Sequence, residues 1–299
     1  MLMIRGIDIF ELYKLEPKKF PPKLPTIPML SSTLRAVLVG SGSDGMQLSQ
    51  ICKECIRLTN KAAADINVLY IGTASYDNSA AATNQTKTFL SLGATVNSLI
   101  LSDDKAAAKP KFEMADIIVV SGGNTLFAVD RWKHLGIDVL FTEAQERGVV
   151  LAGGSAGAIV AFESGHSDSG DPESFYIQGE ADPSWKYVRV PGLSLLPGLC
   201  CPHYDKIQSN GILRATDFND MMTRHANERG IGIDHWAALS IEGTYKIEKL
   251  KCSKMMHYTS CNYRQNYFYS FIPLSMFCME SHLSSKPKQC ILQNQIVEM

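Results

Sequence analysis

The chain has 299 residues, 45% hydrophobic and 20% charged, which is enough apolar material for a sizeable core in one or two domains. Its 29 basic and 30 acidic residues leave a net charge of -1, without the electrostatic footprint that grips a phosphate backbone or an anionic membrane. Neither nucleic acid nor membrane is therefore an expected partner. No run of about eighteen apolar residues occurs, and Asp8, Glu11 and Glu16 interrupt the first twenty positions where a signal or transit peptide would lie. A cytoplasmic protein is expected.

Residues 1–31 read as an N-terminal extension or linker, because Pro17, Pro21, Pro22 and Pro25 fall too close together for a helix or a central strand. An α/β domain is predicted over 32–247. It opens with a buried strand, Ala36-Val37-Leu38-Val39, that runs into the glycine-rich turn Gly40-Ser41-Gly42-Ser43-Asp44-Gly45. A helical stretch over 46–64 carries Cys52-Lys53-Glu54-Cys55. With no second Cys or Cys/His pair at metal-binding spacing, that pair reads as structural, and the eight cysteines read as reduced thiols.

The strand–turn–helix unit then recurs. Val68–Ile71 precedes Gly72 and a helix over 80–92, and a strand follows over 95–101. Asp116–Val120 precedes Ser121-Gly122-Gly123 and a helix over 126–134, and Val149–Ala152 precedes Gly153-Gly154-Ser155-Ala156-Gly157 with a helix over 156–162. A strand over 199–202, a helix over 212–226 and a strand over 231–241 complete the domain. Short continuous Val/Ile/Leu runs alternating with helices predict an α/β fold, a doubly wound and mostly parallel sheet covered on both faces. Ligands of such sheets bind beyond the carboxyl ends of the strands, where these glycine turns collect. Residues 248–299 crowd Cys, Met and Tyr without a clear period and read as an atypical C-terminal tail of uncertain order.

The chemistry centres on Ser155. A serine hydroxyl needs a base to take its proton and preorganised donors for the developing oxyanion. A glycine-flanked strand-to-helix elbow lifts such a side chain above the sheet and frees the Ala156 N–H, and Gly122 or Gly123 of the neighbouring loop could supply a second donor. Among seven histidines, His203 follows a predicted strand directly. His166 lies after the elbow helix, His225 on a polar helix and His235 within a predicted strand beside Asp234.

Four ordered motifs, Ser-Gly-Gly-Asn-Thr (121–125), Gly-Gly-Ser-Ala-Gly-Ala (153–158), Pro-His-Tyr-Asp (202–205) and Gly-Ile-Asp-x-x-Ala-Leu (232–239), resemble the peptidase E family over about residues 35–247. These are α-aspartyl dipeptidases of serine peptidase family S51, related to cyanophycinase, with a flavodoxin-like fold similar to class I glutamine amidotransferases. The resemblance implies hydrolysis of Asp-|-Xaa dipeptides without a metal or other cofactor. It implies Ser155 as nucleophile, His203 as base, and Gly123 with Ala156 as the oxyanion hole. Asp168 becomes the orienting acid, with Asp171 and Asp234 as alternatives, and Arg214 and Asn124 become substrate-binding residues. Where family members carry a Glu in the last motif, this chain has His235. The expected partner is a small peptide substrate, and a homodimer is left open. Two rivals stand beside this reading: another serine hydrolase, cyanophycinase-like or an esterase, and a non-catalytic amidotransferase-like binding protein.

Overall fold

A computed structural model of the protein describes residues 34–175, 183–225 and 228–243, together with the backbone of three short strands at 256–259, 274–278 and 289–290. The expected extension over 1–31 lies outside the described residues, as does most of the tail over 248–299.

The first five strands expected from the sequence become strands of one sheet. These are β1 (Arg35–Val39), β2 (Asn67–Ile71), β3 (Thr95–Leu99), β4 (Ile117–Val120) and β5 (Val150–Gly154), all mutually parallel in the order β1-β5-β4-β2-β3. β4 and β5 are buried along their whole length, as strands covered on both faces must be, and each large aliphatic side chain so enclosed contributes about 1.5–3 kcal/mol.

Helices cover both faces. The stretch expected as one helix over 46–64 is two, α1 (Ser43–Met46) and α2 (Ser49–Thr59). After them come α3 (Ser79–Ser91), α4 (Lys105–Met114), α5 (Thr125–Leu135) and α6 (Asp138–Glu146). Cys52 and Cys55 are buried on the inner face of α2. Burial pushes the Cys52 thiol up to about 12 and the Cys55 thiol up as well, as expected of thiols packed in an apolar core.

Beyond β5 the structure departs from the expected elements. The elbow helix α7 (Ala156–Ile159) is a single turn, and the chain re-enters a strand, β6 (Phe162–Ser167). β6 joins β7 (Val188–Pro191), β8 (Leu196–Cys201) and β9 (Gly230–Ile233) in a second sheet, with α8 (Arg214–Arg224) packed on it.

The strand expected over 231–241 is likewise two. β9 ends at Ile233, and β10 (Ala237–Glu242) returns to the first sheet antiparallel to β1. Residues 234–236 are the turn by which the chain changes sheets. Strand alternation therefore does not govern Asp234 and His235, and the expectation of a strand through them is corrected. Periodicity cannot reveal this, because the two apolar runs are separated by only three residues. In the tail, β11 (Met256–Thr259) pairs with β9, and β12 (Leu274–Cys278) with β13 (Gln289–Cys290) extends the first sheet past β10.

Candidate active site

The carboxyl ends of β1, β4 and β5 converge on one cavity of about 230 Å3. Ser41, Gly42, Ser43 and Asp44 line it from the turn after β1, Gly122 and Gly123 from the turn after β4, and Ser155 from the turn after β5. Ala81 and Gln85 of α3 close one side, and His203 and His235 reach in from the second sheet.

Ser155 adopts φ 54°, ψ -116°, a conformation that costs a non-glycine residue on the order of 1–3 kcal/mol. Its surroundings hold it there. The Ser155 N–H donates to Val39 O of β1 at 3.1 Å, and its carbonyl accepts from Ala158 and Ile159, the first-turn bonds of α7. The side chain is 8% exposed, at the cavity floor. The Ala156 N–H, at the first position of the helix, has no acceptor within it.

The loop after β4 lies against the elbow, so that a Cβ on Gly122 would be 3.5 Å from Ser155 Cβ. Gly123 has φ +126°, and a Cβ there would meet Ala74 O at 2.1 Å, so this position requires glycine. Asn124 caps α5, its Oδ1 accepting from Phe127 N at 2.9 Å while Nδ2 donates to Ser174 Oγ at 3.0 Å. It is 1% exposed and does not line the cavity, so the structure gives it a capping role and not the expected substrate contact.

His203 sits just past β8 with φ 49°, its backbone N–H donating to Gly40 O at 3.1 Å. Gly40 also donates to Ala237 O, and a Cβ on it would lie 1.9 Å from Asp234 O. One glycine thus lets the His203 loop and the 234–236 turn both close on the end of β1. Enclosure, reinforced by the Arg214 charge, pulls the His203 imidazole down to about 3.

The ring of His203 is 2.8 Å from that of His235, Nδ1 to Nδ1, and His235 Nε2 is 3.0 Å from Asp44 Oδ2. Asp44 was missed by sequence reasoning. The one available signal was an acidic residue inside a glycine-rich turn at a carboxyl strand end, and nothing in the sequence tells that its partner is 191 residues away.

The expected acids are placed elsewhere. Asp168 Oδ2 accepts from Arg214 Nη1 at 3.0 Å, and Asp171 accepts from Glu173 N at 3.0 Å and from Ser209 Oγ at 2.8 Å. Neither lines the cavity, and it is His235 that holds the His203 ring. Asp234 is pushed up to about 7, first by burial and then by Asp205. Arg214 is fully buried, its Nη2 donating to His166 O at 2.6 Å and its guanidinium lying 5.2 Å from the Tyr187 ring. Its Nε has no hydrogen-bond partner among the described residues. His166, fully buried in β6, holds Asp217 at 2.8 Å and is pulled down to about 2 by burial, and His225 ends α8 beside Arg189 and Glu228. These two histidines stay in structural networks away from Ser155.

Residues 36–248 match the sequence profile of peptidase family S51, about seven-tenths of the chain. The chain belongs to peptidase family S51. At that level it is a peptidase of serine type, with the mostly parallel, flavodoxin-like α/β architecture. It is 30% identical over 170 residues to the uncharacterized peptidase YgaJ of Bacillus subtilis strain 168, a match covering 56% of this chain and 68% of that protein. It is 27% identical over 254 residues to a Trypanosoma brucei brucei protein named G2/mitotic-specific cyclin-1, covering 72% of this chain and 75% of that one. Among solved structures, a peptidase from an acI-B1 actinobacterium superposes with a TM-score of 0.54 at 18% identity, covering 90% of this chain and 97% of that one, a likeness of fold alone. Among the described residues of this S51 member, no helix is long and apolar enough to cross a membrane.

Proposed function

We propose that this protein is a serine dipeptidase that hydrolyses dipeptides with an N-terminal aspartate, using Ser155 as nucleophile and His203 as base. The observation that carries the reading is the strained Ser155 and the ring of His203 lining one small cavity at the carboxyl end of the sheet. In the first half-reaction His203 takes the Ser155 hydroxyl proton as the oxygen attacks the peptide carbonyl, and the Gly123 and Ala156 amides receive the oxyanion. His203 then gives the proton to the departing amine. Water repeats the sequence in reverse on the acyl-enzyme.

The cavity, about 230 Å3, is below the ~300–1,000 Å3 of pockets that hold drug-sized ligands, which favours a very short peptide. Arg214 supports aspartate as the first residue, since a guanidinium receives a carboxylate as a planar fork and its Nε has no acceptor among the described residues. Arg214 is sealed from the cavity, so a substrate carboxylate reaches it only if the side chains between them move aside.

The test is a panel of α-Asp-Leu, Glu-Leu, Ala-Leu, Leu-Asp and β-linked Asp-Leu, with chelator present and with Ser155→Ala and His203→Ala as controls. Chelator-resistant cleavage of α-Asp-Leu alone, lost in both variants, is the expected result. Cleavage that survives Ser155→Ala sinks the mechanism, and a different preferred dipeptide sinks the aspartyl specificity. A folded but inert protein favours the non-catalytic reading, for which the pairing of His203 with His235 is the supporting observation.

A further inference from the structure

The hydrogen bonds behind His203 contain their own direction. A carboxylate can only accept, so at Asp44 Oδ2 the proton of the 3.0 Å contact belongs to His235 Nε2. A neutral His235 protonated on Nε2 has a lone pair on Nδ1. The 2.8 Å contact between the two Nδ1 atoms therefore requires His203 to donate from Nδ1. That leaves His203 Nε2 with its lone pair, the state a base must have before it can take a proton from serine.

We propose that Asp44 and His235 act together as positioning residues in place of the single carboxylate of a Ser-His-acid triad, with His235 as a relay between His203 and Asp44. The proposal rests on the reading of Ser155 and His203 as nucleophile and base. As Ser155 Oγ forms its bond to the carbonyl carbon, its proton passes to His203 Nε2, and the proton on His203 Nδ1 shifts to His235 Nδ1. The positive charge then lies on His235, whose Nε2–H remains on Asp44. When the amine leaves, His203 Nε2 gives its proton to the amine nitrogen as the C–N bond breaks, and the proton on His235 Nδ1 returns to His203 Nδ1, so nothing is oxidised or reduced and no co-reactant is needed.

The geometry explains why a relay is useful here. His203 is partly buried and faces the positive charges of Arg214 and Lys206, with Asp168 as a partly compensating carboxylate. An imidazolium confined to that ring is costly. His235 is partly buried, 14% exposed, and its partner Asp44 is half exposed. Asp205 fixes the backbone of His235, accepting its N–H at 2.7 Å, Trp236 packs edge-on against its ring, and Asp234 precedes it in the turn. The carboxylates of Asp44 and Asp205 thus lie against His235 where the cations of Arg214 and Lys206 face His203, so a charge moved to His235 sits beside carboxylates.

The experiment follows the rate at which a fluorophosphonate modifies Ser155 in the full-length protein as a function of pH, which needs no knowledge of the substrate. Wild type is compared with Ser155→Ala, Asp44→Asn, His235→Glu and the Asp44→Asn/His235→Glu double variant. Asp44→Asn is expected to slow modification about 10- to 100-fold, part of the 10²–10⁴ that a positioned base supplies, and to move the acid limb to lower pH because the pair of rings binds its proton less tightly. His235→Glu puts a carboxylate directly on His203 and moves the limb to higher pH, and in that background Asp44→Asn is expected to lose most of its effect.

Equal rates and an unmoved limb in wild type and Asp44→Asn overturn the relay, as does a slower rate with an unmoved limb, which is what a purely structural aspartate would give. A wild-type Ser155 that is never modified sinks the serine reading itself and the relay with it. Nitrogen NMR of histidine-labelled protein tests the same assignment without any variant: His203 is expected to carry its proton on Nδ1 and His235 on Nε2. A proton on His203 Nε2 overturns the proposal.

Discussion

Arg214 Nη1 and Asp168 Oδ2 meet at 3.0 Å between a fully buried guanidinium and a carboxylate that is 22% exposed. Removing one partner of such a pair leaves a charge stranded in low dielectric, which costs about 3–5 kcal/mol. Asp168→Ala is therefore expected to lower the melting temperature by roughly 10 °C, at about 2–4 °C per kcal/mol for a domain of this size. Differential scanning calorimetry beside the fluorophosphonate rate checks it. Loss of the rate with an unchanged melting temperature would instead make Asp168 the triad acid.

The end of β1 is the second sensitive point. Gly40→Ala places a methyl group 1.9 Å from Asp234 O, against backbone that has no room to give. Overpacking of this kind costs about 1–3 kcal/mol. The shift also moves the 234–236 turn and the His203 loop, both bonded to Gly40. Modification of Ser155 is expected to fall more steeply than stability, and the two are read on the same samples.

The acid limb of activity belongs to the His203–His235 pair, and burial of His203 lowers it. The His203 imidazole is held down to about 3, so the neutral form that can accept a proton persists well below the ordinary histidine value of about 6.5. The kcat/KM profile is expected to stay flat from pH 8 to below pH 6. A limb near 6.5 would show that the His203–His235 pair takes up a proton as readily as an ordinary imidazole and that burial of His203 does not set the limb.

His166 links stability to pH separately. Its folded value is lowered to about 2 against about 6.5 unfolded, so between these values the unfolded chain binds the extra proton. The stability it contributes is present above pH 6.5 and is lost as pH falls toward 2, by on the order of 1.4 kcal/mol per unit. Urea unfolding of wild type and His166→Gln at pH 7.5 and 5.0 is expected to show wild type losing about 2 kcal/mol more than the variant over that interval. Asp234, raised to about 7, works in the opposite sense, which is why the comparison is made between variants. Parallel pH dependence in the two proteins would place His166 in contact with water.

The sequence by itself determined the parallel sheet and its nucleophile turn, because those features are local. Apolar runs of four or five residues ending in glycine read as buried strands, and the spacing of Gly153 and Gly157 about Ser155 reads as the elbow. It also determined that His203 follows a strand. Tertiary structure decided which carboxylate serves which cation. Asp168 and Arg214 find each other 46 residues apart, and Asp44 finds His235 from the opposite end of the domain. It also decided that 234–236 is a crossing between sheets, because strand pairing with β1 and β8, and not the apolar pattern, sets where β9 ends and β10 begins. Charges pair through space according to what the fold leaves within about 3 Å, and a linear pattern contains no record of that distance.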